Sequence, residues 1–209
     1  MKRILGICIC LLLLASNAFA ADATIENKKV TYSFKANYPL VNLEDQQAAT
    51  EINRFIAKKI QAYRKVSNNH NYLEGIVDYE VKYEDKDYLS IVFTYWWYYQ
   101  NAAHGMYNTS GIVFDKNSGK LVNLKHFVPE LNVKNLIKKV NSGELVIRNS
   151  RNEEIQLSEP WKIDRVSHSY YIDEDKTVYL IYQPYELASY ADGNTYIKIT
   201  QDEAHKLKD

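Results

Sequence analysis

The spacing of apolar residues along this chain changes between the two-residue period of strands and the longer period of helices, which predicts a mixed fold. Alternation over residues 24–38 predicts a first strand region, which Pro39 should end. Over residues 45–66 the apolar positions take helical spacing and predict the longest helix of the protein. Residues 76–83 and 88–98 alternate again, which indicates a hairpin.

The second half of the chain repeats this order of helix and strands. Apolar residues at helical spacing predict a shorter helix over 133–140, and Gly143 should end it. The pattern predicts strands at 166–172, 177–183 and 195–199, and a short polar helix from about Gln201. Because aromatic-rich alternation is typical of half-buried antiparallel sheet, we expect an α+β fold. It should have antiparallel sheets, one long and one shorter helix, and two packed subdomains.

A run of aromatic residues ends the predicted strand at 88–98, and it comprises Tyr95, Trp96, Trp97, Tyr98 and Tyr99. Neighbouring side chains of a strand face opposite sides of a sheet, so both faces must be covered if all of them are buried. Aromatic side chains that stay exposed stack on sugar faces or anchor protein interfaces. We therefore take this run, with Asn101 and His104 after it, as the candidate ligand-binding residues. A second layer over the sheet would instead make the aromatic residues structural.

His104 is also the main candidate for catalysis, because a neutral imidazole beside an aromatic strand can act as a general base. A hydrolase or carbohydrate-active enzyme would combine it with carboxylates from the other half of the chain, such as Glu186 and Asp192. The simpler interpretation is structural. In it, His104 fixes a loop by hydrogen bonding, and Gly105 supplies a backbone conformation that other residues resist.

Neither a cofactor nor a metal has a local site in the sequence. The other histidines are scattered without the spacing of a zinc motif, and they are His70, His126, His168 and His205. There is no Gly-x-Ser-x-Gly motif, and both cysteines, Cys8 and Cys10, lie near the N-terminus. We therefore expect no cofactor and no metal, and an enzyme is the less favoured class of protein.

The N-terminal segment has the three parts of a secretory signal. Lys2 and Arg3 precede an apolar run over 4–15, and the triplet at 18–20 has small residues at both ends, which places cleavage after Ala20. The apolar run is shorter than the ~20 residues of a spanning helix. We expect an exported protein, periplasmic or secreted, with no membrane span after cleavage. The 26 basic and 26 acidic residues balance, which disfavours a nucleic-acid partner.

Two motifs resemble a known family. In the first, the aromatic run leads to Ala-His-Gly at 103–105 and then to Phe-Asp-Lys-Asn-Ser-Gly-Lys-Leu at 114–121, where the glycine marks a tight turn. The second is Pro-Tyr-Glu-Leu-Ala-Ser-Tyr-Ala-Asp-Gly at 184–193. Together they are similar to the extracytoplasmic module of RsiV-type anti-sigma factors, which also lies beside some peptidoglycan deacetylase domains. After the signal peptide at 1–20, the resemblance implies two RsiV-like subdomains, at 21–118 and 119–209.

The resemblance also implies a function in recognition, since the module of the anti-sigma factor lies outside the cell and binds lysozyme. This sequence carries no sigma-binding segment and no deacetylase metal motif. We therefore expect a non-catalytic protein of the cell envelope that binds cell-wall glycan, such as peptidoglycan fragments, or a lysozyme-class protein. The hydrolase described above and an envelope structural protein without a small ligand are the alternatives.

Overall fold

The computed structural model of the protein describes residues 24–30, 34–69, 72–157 and 163–208. The predicted signal peptide, its cleavage site after Ala20, and His70 lie outside these residues. The described chain forms two five-stranded sheets accompanied by a few helices, so the fold is α+β, as predicted.

The first sheet keeps its strands in chain order, and they are β1 (Thr24–Val30), β2 (Phe34–Asn42), β3 (Glu74–Glu84), β4 (Tyr88–Tyr98) and β5 (Met106–Asp115). Helix α1 (Gln46–Asn69) packs on one face of this sheet through Ile52, Ile56 and Ile60. Both the long helix and the β3–β4 hairpin are therefore confirmed. The predicted turn after β5 is also present, and Gly119 takes a left-handed φ of 70° there.

Two details of the first sheet differ from the predictions. The pair β2–β3 is parallel, because α1 carries the chain back across the sheet between these strands, whereas a hairpin would have reversed it. Pro39 also does not end the strand, since β2 continues to Asn42. A proline is tolerated at a strand edge, and at Pro39 the only neighbour of β2 is β1, because pairing with β3 is confined to residues 34–36.

The second sheet is wholly antiparallel, in the order β7-β6-β10-β9-β8. Its strands are β6 (Ile147–Asn149), β7 (Glu154–Ile155), β8 (Tyr170–Ile172), β9 (Val178–Tyr182) and β10 (Thr195–Ile199). The helices of this half are α2 (Leu124–Phe127), α3 (Val133–Asn141) and α4 (Gln201–His205). The predictions of α3, of the β8–β9 hairpin, of β10 and of α4 are confirmed, and Gly143 follows α3 with a φ of 75°. Strands β6 and β7 are too short to show a period and were not predicted.

Each sheet has its own apolar core. One lies between α1 and the first sheet, and the other between the second sheet and the helices α2 to α4. A third, small cluster joins the two sheets and consists of Val92, Tyr171 and Ile181. The predicted boundary at residue 118 stays a prediction, although the sheets divide near it; Val113 of β5 packs into the second core.

Hydrogen bonds connect the two sheets at β5. The Ser169 hydroxyl accepts from the Gly111 N–H at 2.9 Å and donates to the Thr109 carbonyl oxygen at 3.2 Å. The side-chain amide of Gln183 makes a double contact with the Thr109 backbone, donating to its carbonyl oxygen and accepting from its N–H, each at 2.8 Å. The amide of Asn194 donates to the Thr109 hydroxyl at 2.7 Å. Because these groups are largely buried, the segment after β9 is held in one position against β5.

Candidate functional site

The run of aromatic residues at the end of β4 divides between the two faces of the first sheet. Tyr95 and Trp97 face α1, where Tyr95 stacks on Tyr63 at 4.8 Å and on Trp97 at 5.2 Å between ring centroids. Tyr72 stacks on Trp97 from the other side at 5.9 Å. Two of the five candidate binding residues are thus part of the packing beneath α1.

Trp96 and Tyr98 lie on the opposite face, where they support the loop that follows β4. Their rings are nearly parallel, with centroids 6.3 Å apart, and the Tyr98 hydroxyl donates to the Ala102 carbonyl oxygen at 2.9 Å. A Cβ on Gly105 would come closer than 3.0 Å to the indole of Trp96. Gly105 is therefore required for close approach to a ring. It does not have the positive φ that we expected of it.

Tyr99 and Asn101 form the turn beyond the strand. The Tyr99 carbonyl oxygen accepts from the Ala102 N–H at 3.2 Å, and Asn101 takes a left-handed φ of 63°, which asparagine tolerates better than most residues. The Tyr99 side chain is 40% exposed and packs edge-on against Tyr72. Asn101 is exposed and shapes the loop that leads to His104.

His104 meets the second motif of the sequence. Its exposed imidazole stacks on the ring of Tyr190, with centroids 4.1 Å apart. The Gly105 carbonyl oxygen accepts from Nδ1 of His104 at 2.8 Å and from the Tyr190 hydroxyl at 2.6 Å. Because a carbonyl oxygen can only accept, Nδ1 carries the proton, which leaves Nε2 of the neutral ring as an acceptor toward solvent. The bond between Tyr190 and Gly105 joins residues that are 85 positions apart, so the two motifs form one surface.

Tyr185 extends this surface. Its side chain is 60% exposed, and its ring lies 5.8 Å from that of Tyr190 between centroids. Its backbone has a left-handed φ of 71°, in a turn closed by a bond from the Glu186 N–H to the Gln183 carbonyl oxygen at 3.1 Å. This is the third position of a type II turn, where glycine is usual, so a tyrosine there is strained by roughly 1 kcal/mol or more.

Neighbouring groups hold this turn in place. Pro184 precedes Tyr185 and fixes the φ that a type II turn needs at its second position. The Glu186 carboxylate accepts from the Gln183 N–H at 2.9 Å and pairs with Arg165. The Tyr185 N–H donates to the Ala188 carbonyl oxygen at 3.0 Å. Because the strain at Tyr185 is imposed by this many contacts, the exposed ring is presented in a fixed position.

We call the surface formed by His104, Tyr107, Tyr185 and Tyr190 the aromatic junction. Tyr190 lies at its centre, and Tyr107 meets it edge-on, with centroids 6.0 Å apart. Burial raises the pKa of Tyr107, so its hydroxyl stays protonated at neutral pH. The junction thus combines three phenol rings and one imidazole, which lie on the loop between β4 and β5, on β5 and on the segment after β9.

The carboxylates that could assist His104 have other partners. Glu186 is bound to Arg165 and the Gln183 N–H, as described above. Asp192 accepts from the hydroxyl and the N–H of Ser189, and the hydroxyl bond lowers the pKa of Asp192. A carboxylate that is stabilised in its charged form is a poor general acid at neutral pH. The structure brings His104 together with Tyr190, while both carboxylates shape the turns around it.

Binding roles for Tyr107, Tyr185 and Tyr190 were not predicted from the sequence, although the last two lie within the motif at 184–193. The available signal was a proline followed by a large aromatic residue where a turn calls for glycine. A second residue that the sequence did not reveal is Lys59 of α1. Its ammonium is largely buried, and desolvation lowers its pKa to about 8.

In the described ranges, no group of three or more His, Cys, Asp or Glu side chains is arranged to hold a metal ion. None of the helices in that part of the chain is both long enough and apolar enough to cross a membrane.

Residues 126–202 match a family model described as a protein of unknown function, DUF3298. The matched segment is less than half of the chain, and it contains the turn with Tyr185 but not His104. No curated protein matches this chain.

Solved structures of DUF3298 proteins have a fold similar to that of this chain. A DUF3298 family member from Bacteroides fragilis is 14% identical, with a TM-score of 0.54, over 88% of this chain and 91% of that one. A DUF3298 family protein from Pseudomonas aeruginosa is 12% identical, with a TM-score of 0.53, over the same shares of the two chains. At these identities the likeness concerns the fold alone, and it extends over both sheets.

Proposed function

We propose that this protein is an exported, non-catalytic recognition protein of the cell envelope, which binds cell-wall glycan or a lysozyme-class protein at the aromatic junction. The observation that carries this proposal is the exposed Tyr185, held in a strained backbone conformation beside the stacked pair of His104 and Tyr190. Strain of this kind persists where the surroundings impose it, and it concentrates at binding and catalytic sites.

The chemistry of the junction suits recognition. Tyrosine and histidine rings have few rotatable bonds, so fixing them on binding costs little entropy, and their flat faces stack on sugars or on other side chains. Phenol hydroxyls and the free Nε2 of His104 add polar contacts at the edges. The ligand class rests on the resemblance of both motifs to the RsiV-type module, and the match to DUF3298 is compatible with that resemblance.

The hydrolase alternative receives less support from the contacts of its residues. Glu186 and Asp192 serve the turns at 183–186 and 189–192. In the described part of the chain the contacts of His104 are with the Gly105 carbonyl oxygen and the ring of Tyr190, and neither carboxylate is among them.

Calorimetry with the purified protein would test the proposal, using c-type lysozyme and soluble peptidoglycan fragments as separate ligands and lysozyme inhibition as a parallel readout. We expect saturable binding of one of them and a loss of about tenfold or more in affinity in Tyr185→Ala and His104→Ala. Leu73→Ala is the control, because it removes an exposed apolar side chain outside the junction and outside the aromatic run of β4. Absence of binding to both ligands, or glycan turnover that His104→Ala abolishes, would refute the proposal.

Tyr185→Gly should separate stability from binding. Glycine adopts the left-handed φ without strain, which offsets the lost ring contact, so the free energy of unfolding should stay equal or rise by up to about 1 kcal/mol. Affinity for the ligand should still fall about tenfold or more, because the exposed ring is gone. Urea unfolding and calorimetry on the same preparations would measure both. A variant that is clearly less stable would show that Tyr185 serves packing instead.

A further inference from the structure

One face of the second sheet carries basic and tyrosine side chains in register. In β10, Ile197 points into the second core, while Tyr196 and Lys198 point to the other side. Arg148 of β6 lies opposite Tyr196, and Tyr179 of β9 lies opposite Lys198. Side chains at directly paired positions of an antiparallel sheet share a face. These residues therefore form one continuous row on the face turned toward the first sheet.

This row borders an open cavity of about 530 Å³. Its size falls within the range of roughly 300–1,000 Å³ that is typical of small-ligand sites. Lys82 of β3 closes the cavity from the first sheet, with its Nζ 5.4 Å from the ring centroid of Tyr171. We name it the cation–tyrosine cleft, and its charged and aromatic lining residues are Lys82, Arg148, Tyr171, Tyr179, Tyr196 and Lys198.

The tyrosine rings of the cleft are fixed by one another. Tyr171 and Tyr179 stack with centroids 4.7 Å apart and an angle of 1° between their planes. Tyr196 meets Tyr171 edge-on at 6.2 Å. Tyr171 is buried at the contact between the sheets, while Tyr179 and Tyr196 are only half-buried. The cleft therefore offers rigid aromatic surface to the C–H face of a sugar ring.

The charge of the cleft favours an anion. Every side chain that carries a formal charge at neutral pH among its described lining residues is a cation: Lys82, Arg148 and Lys198. Lys82 pairs with the exposed Glu80 at 2.7 Å, so it is partly neutralised. Arg148 donates to the Asn152 carbonyl oxygen at 2.9 Å, but a guanidinium has five N–H donors and keeps several for a ligand. Arg148 and Lys198 are thus the main anion-binding groups.

We propose that the cation–tyrosine cleft binds an anionic saccharide, whose pyranose rings lie on Tyr179 and Tyr196 and whose carboxylate or phosphate groups pair with Arg148 and Lys198. Arginine suits both acidic groups because its N–H donors match two oxygens at once. The cleft shares no residue with the aromatic junction, although Tyr196 of the cleft lies close enough to Tyr107 of the junction to raise its pKa.

Titrations with defined probes would test this assignment. Trigalacturonic acid carries the carboxylate, glucose 6-phosphate carries the phosphate, maltotriose is the neutral saccharide, and inorganic phosphate is the anion without a sugar. We expect saturable binding of one or both anionic saccharides at low ionic strength, weaker binding in 0.5 M salt, and no binding of maltotriose. The comparison of the two acidic probes distinguishes a carboxylated from a phosphorylated ligand.

Variants would then locate the binding. Arg148→Gln with Lys198→Gln should weaken binding of the anionic saccharide by about tenfold or more, since two charge-assisted contacts are lost. Tyr196→Ala should weaken saccharide binding while leaving any binding of inorganic phosphate unchanged. Lys134→Gln, at an exposed position of α3, is the matched control and should bind like the wild type. Tyr185→Gly should also bind like the wild type, which separates this test from that of the junction.

The assignment would be overturned by several outcomes. These are no binding of either anionic saccharide, equal binding of maltotriose, inorganic phosphate binding as tightly as glucose 6-phosphate, or full binding after the double substitution. Thermal unfolding of each variant would verify that it is folded. Arg148, Tyr196 and Lys198 are half-buried or exposed, and glutamine keeps part of each basic stem, so we expect the double variant to fold.

Discussion

Replacing Gly111 with alanine is expected to lower the free energy of unfolding by about 3 kcal/mol. Gly111 lies in β5 where this strand passes directly over the backbone of β8. A Cβ there would come closer than 3.0 Å to the carbonyl group of Tyr170 and would lie 2.9 Å from the Tyr171 nitrogen. Because these are backbone atoms, they cannot turn aside as a side chain can, and the two sheets would have to separate.

Separation would also break polar contacts near this point. The Gly111 N–H would lose its bond to the Ser169 hydroxyl, and the small cluster around Val92 would open to water. Losing this hydrogen bond to water costs about 0.5–1.5 kcal/mol, which adds to the steric strain. Gly111 is therefore the position where one added methyl group most directly opposes the packing of the sheets.

Denaturant unfolding of Gly111→Ala and the wild type would measure the loss. Gly143→Ala is the control, since Gly143 has no atom within 4 Å of a Cβ and only its φ of 75° opposes substitution. That variant should lose about 1 kcal/mol. If Gly111→Ala lost no more stability than the control, β5 and β8 would not lie in close backbone contact at this position.

The sequence predicted those elements whose own residues repeat with a clear period. Strand β10 is an example, because the alternation over Thr195–Ile199 predicted the strand, and the structure buries Ile197 and Ile199 of this alternation in the core. Helix α1 is another. The parallel pairing of β2 and β3 was missed, since it depends on where α1 returns the chain and no residue pattern records that.

The candidate site was predicted less well than the fold, because it depends on contacts between segments that are far apart in the sequence. A glycine was expected to matter at position 105, but the reason lies in the indole of Trp96 and is visible only in three dimensions. The two motifs were identified separately, while the bonds that unite them at the Gly105 carbonyl oxygen join residues far apart in sequence. The left-handed backbone of Tyr185 contradicts the preference of its side chain, so local propensity could not predict it.

The ammonium group of Lys59 is largely buried, and the free-energy cost of its burial can be measured. Its Nζ donates to the Ser110 hydroxyl at 2.8 Å and lies 5.0 Å from the ring centroid of Tyr63. In the part of the chain that the structure describes, no carboxylate pairs with it. Desolvation therefore dominates and lowers its pKa from 10.5 to about 8. The hydrogen bond and the ring contact compensate only in part for the water that the ammonium has lost.

This lowered pKa determines whether the stability of the protein rises or falls with pH. Below pH 8 the ammonium is charged in both states, and the native state bears the full cost of burying it. Between pH 8 and 10.5 the native state releases the proton while the unfolded state keeps it, so the unfolded state binds more protons and stability rises with pH. The cost below pH 8 is at most about 3 kcal/mol, since one pKa unit corresponds to ~1.4 kcal/mol.

Lys59→Met should therefore stabilise the protein at pH 7 by about 1–3 kcal/mol, because methionine fills much of the same space without a charge. The gain should shrink steadily as the pH rises from 8 toward 10, where the wild-type lysine is increasingly neutral in the native state. Urea unfolding of both proteins at pH 7, 8, 9 and 10 would measure the difference, in which the titration of other groups largely cancels.

Lys58→Met, at the exposed neighbouring position of α1, should change stability by less than about 0.5 kcal/mol at pH 7. A Lys59→Met protein that is less stable than the wild type at pH 7, or a gain that is the same at pH 7 and pH 10, would show that Ser110 and Tyr63 fully compensate the buried charge.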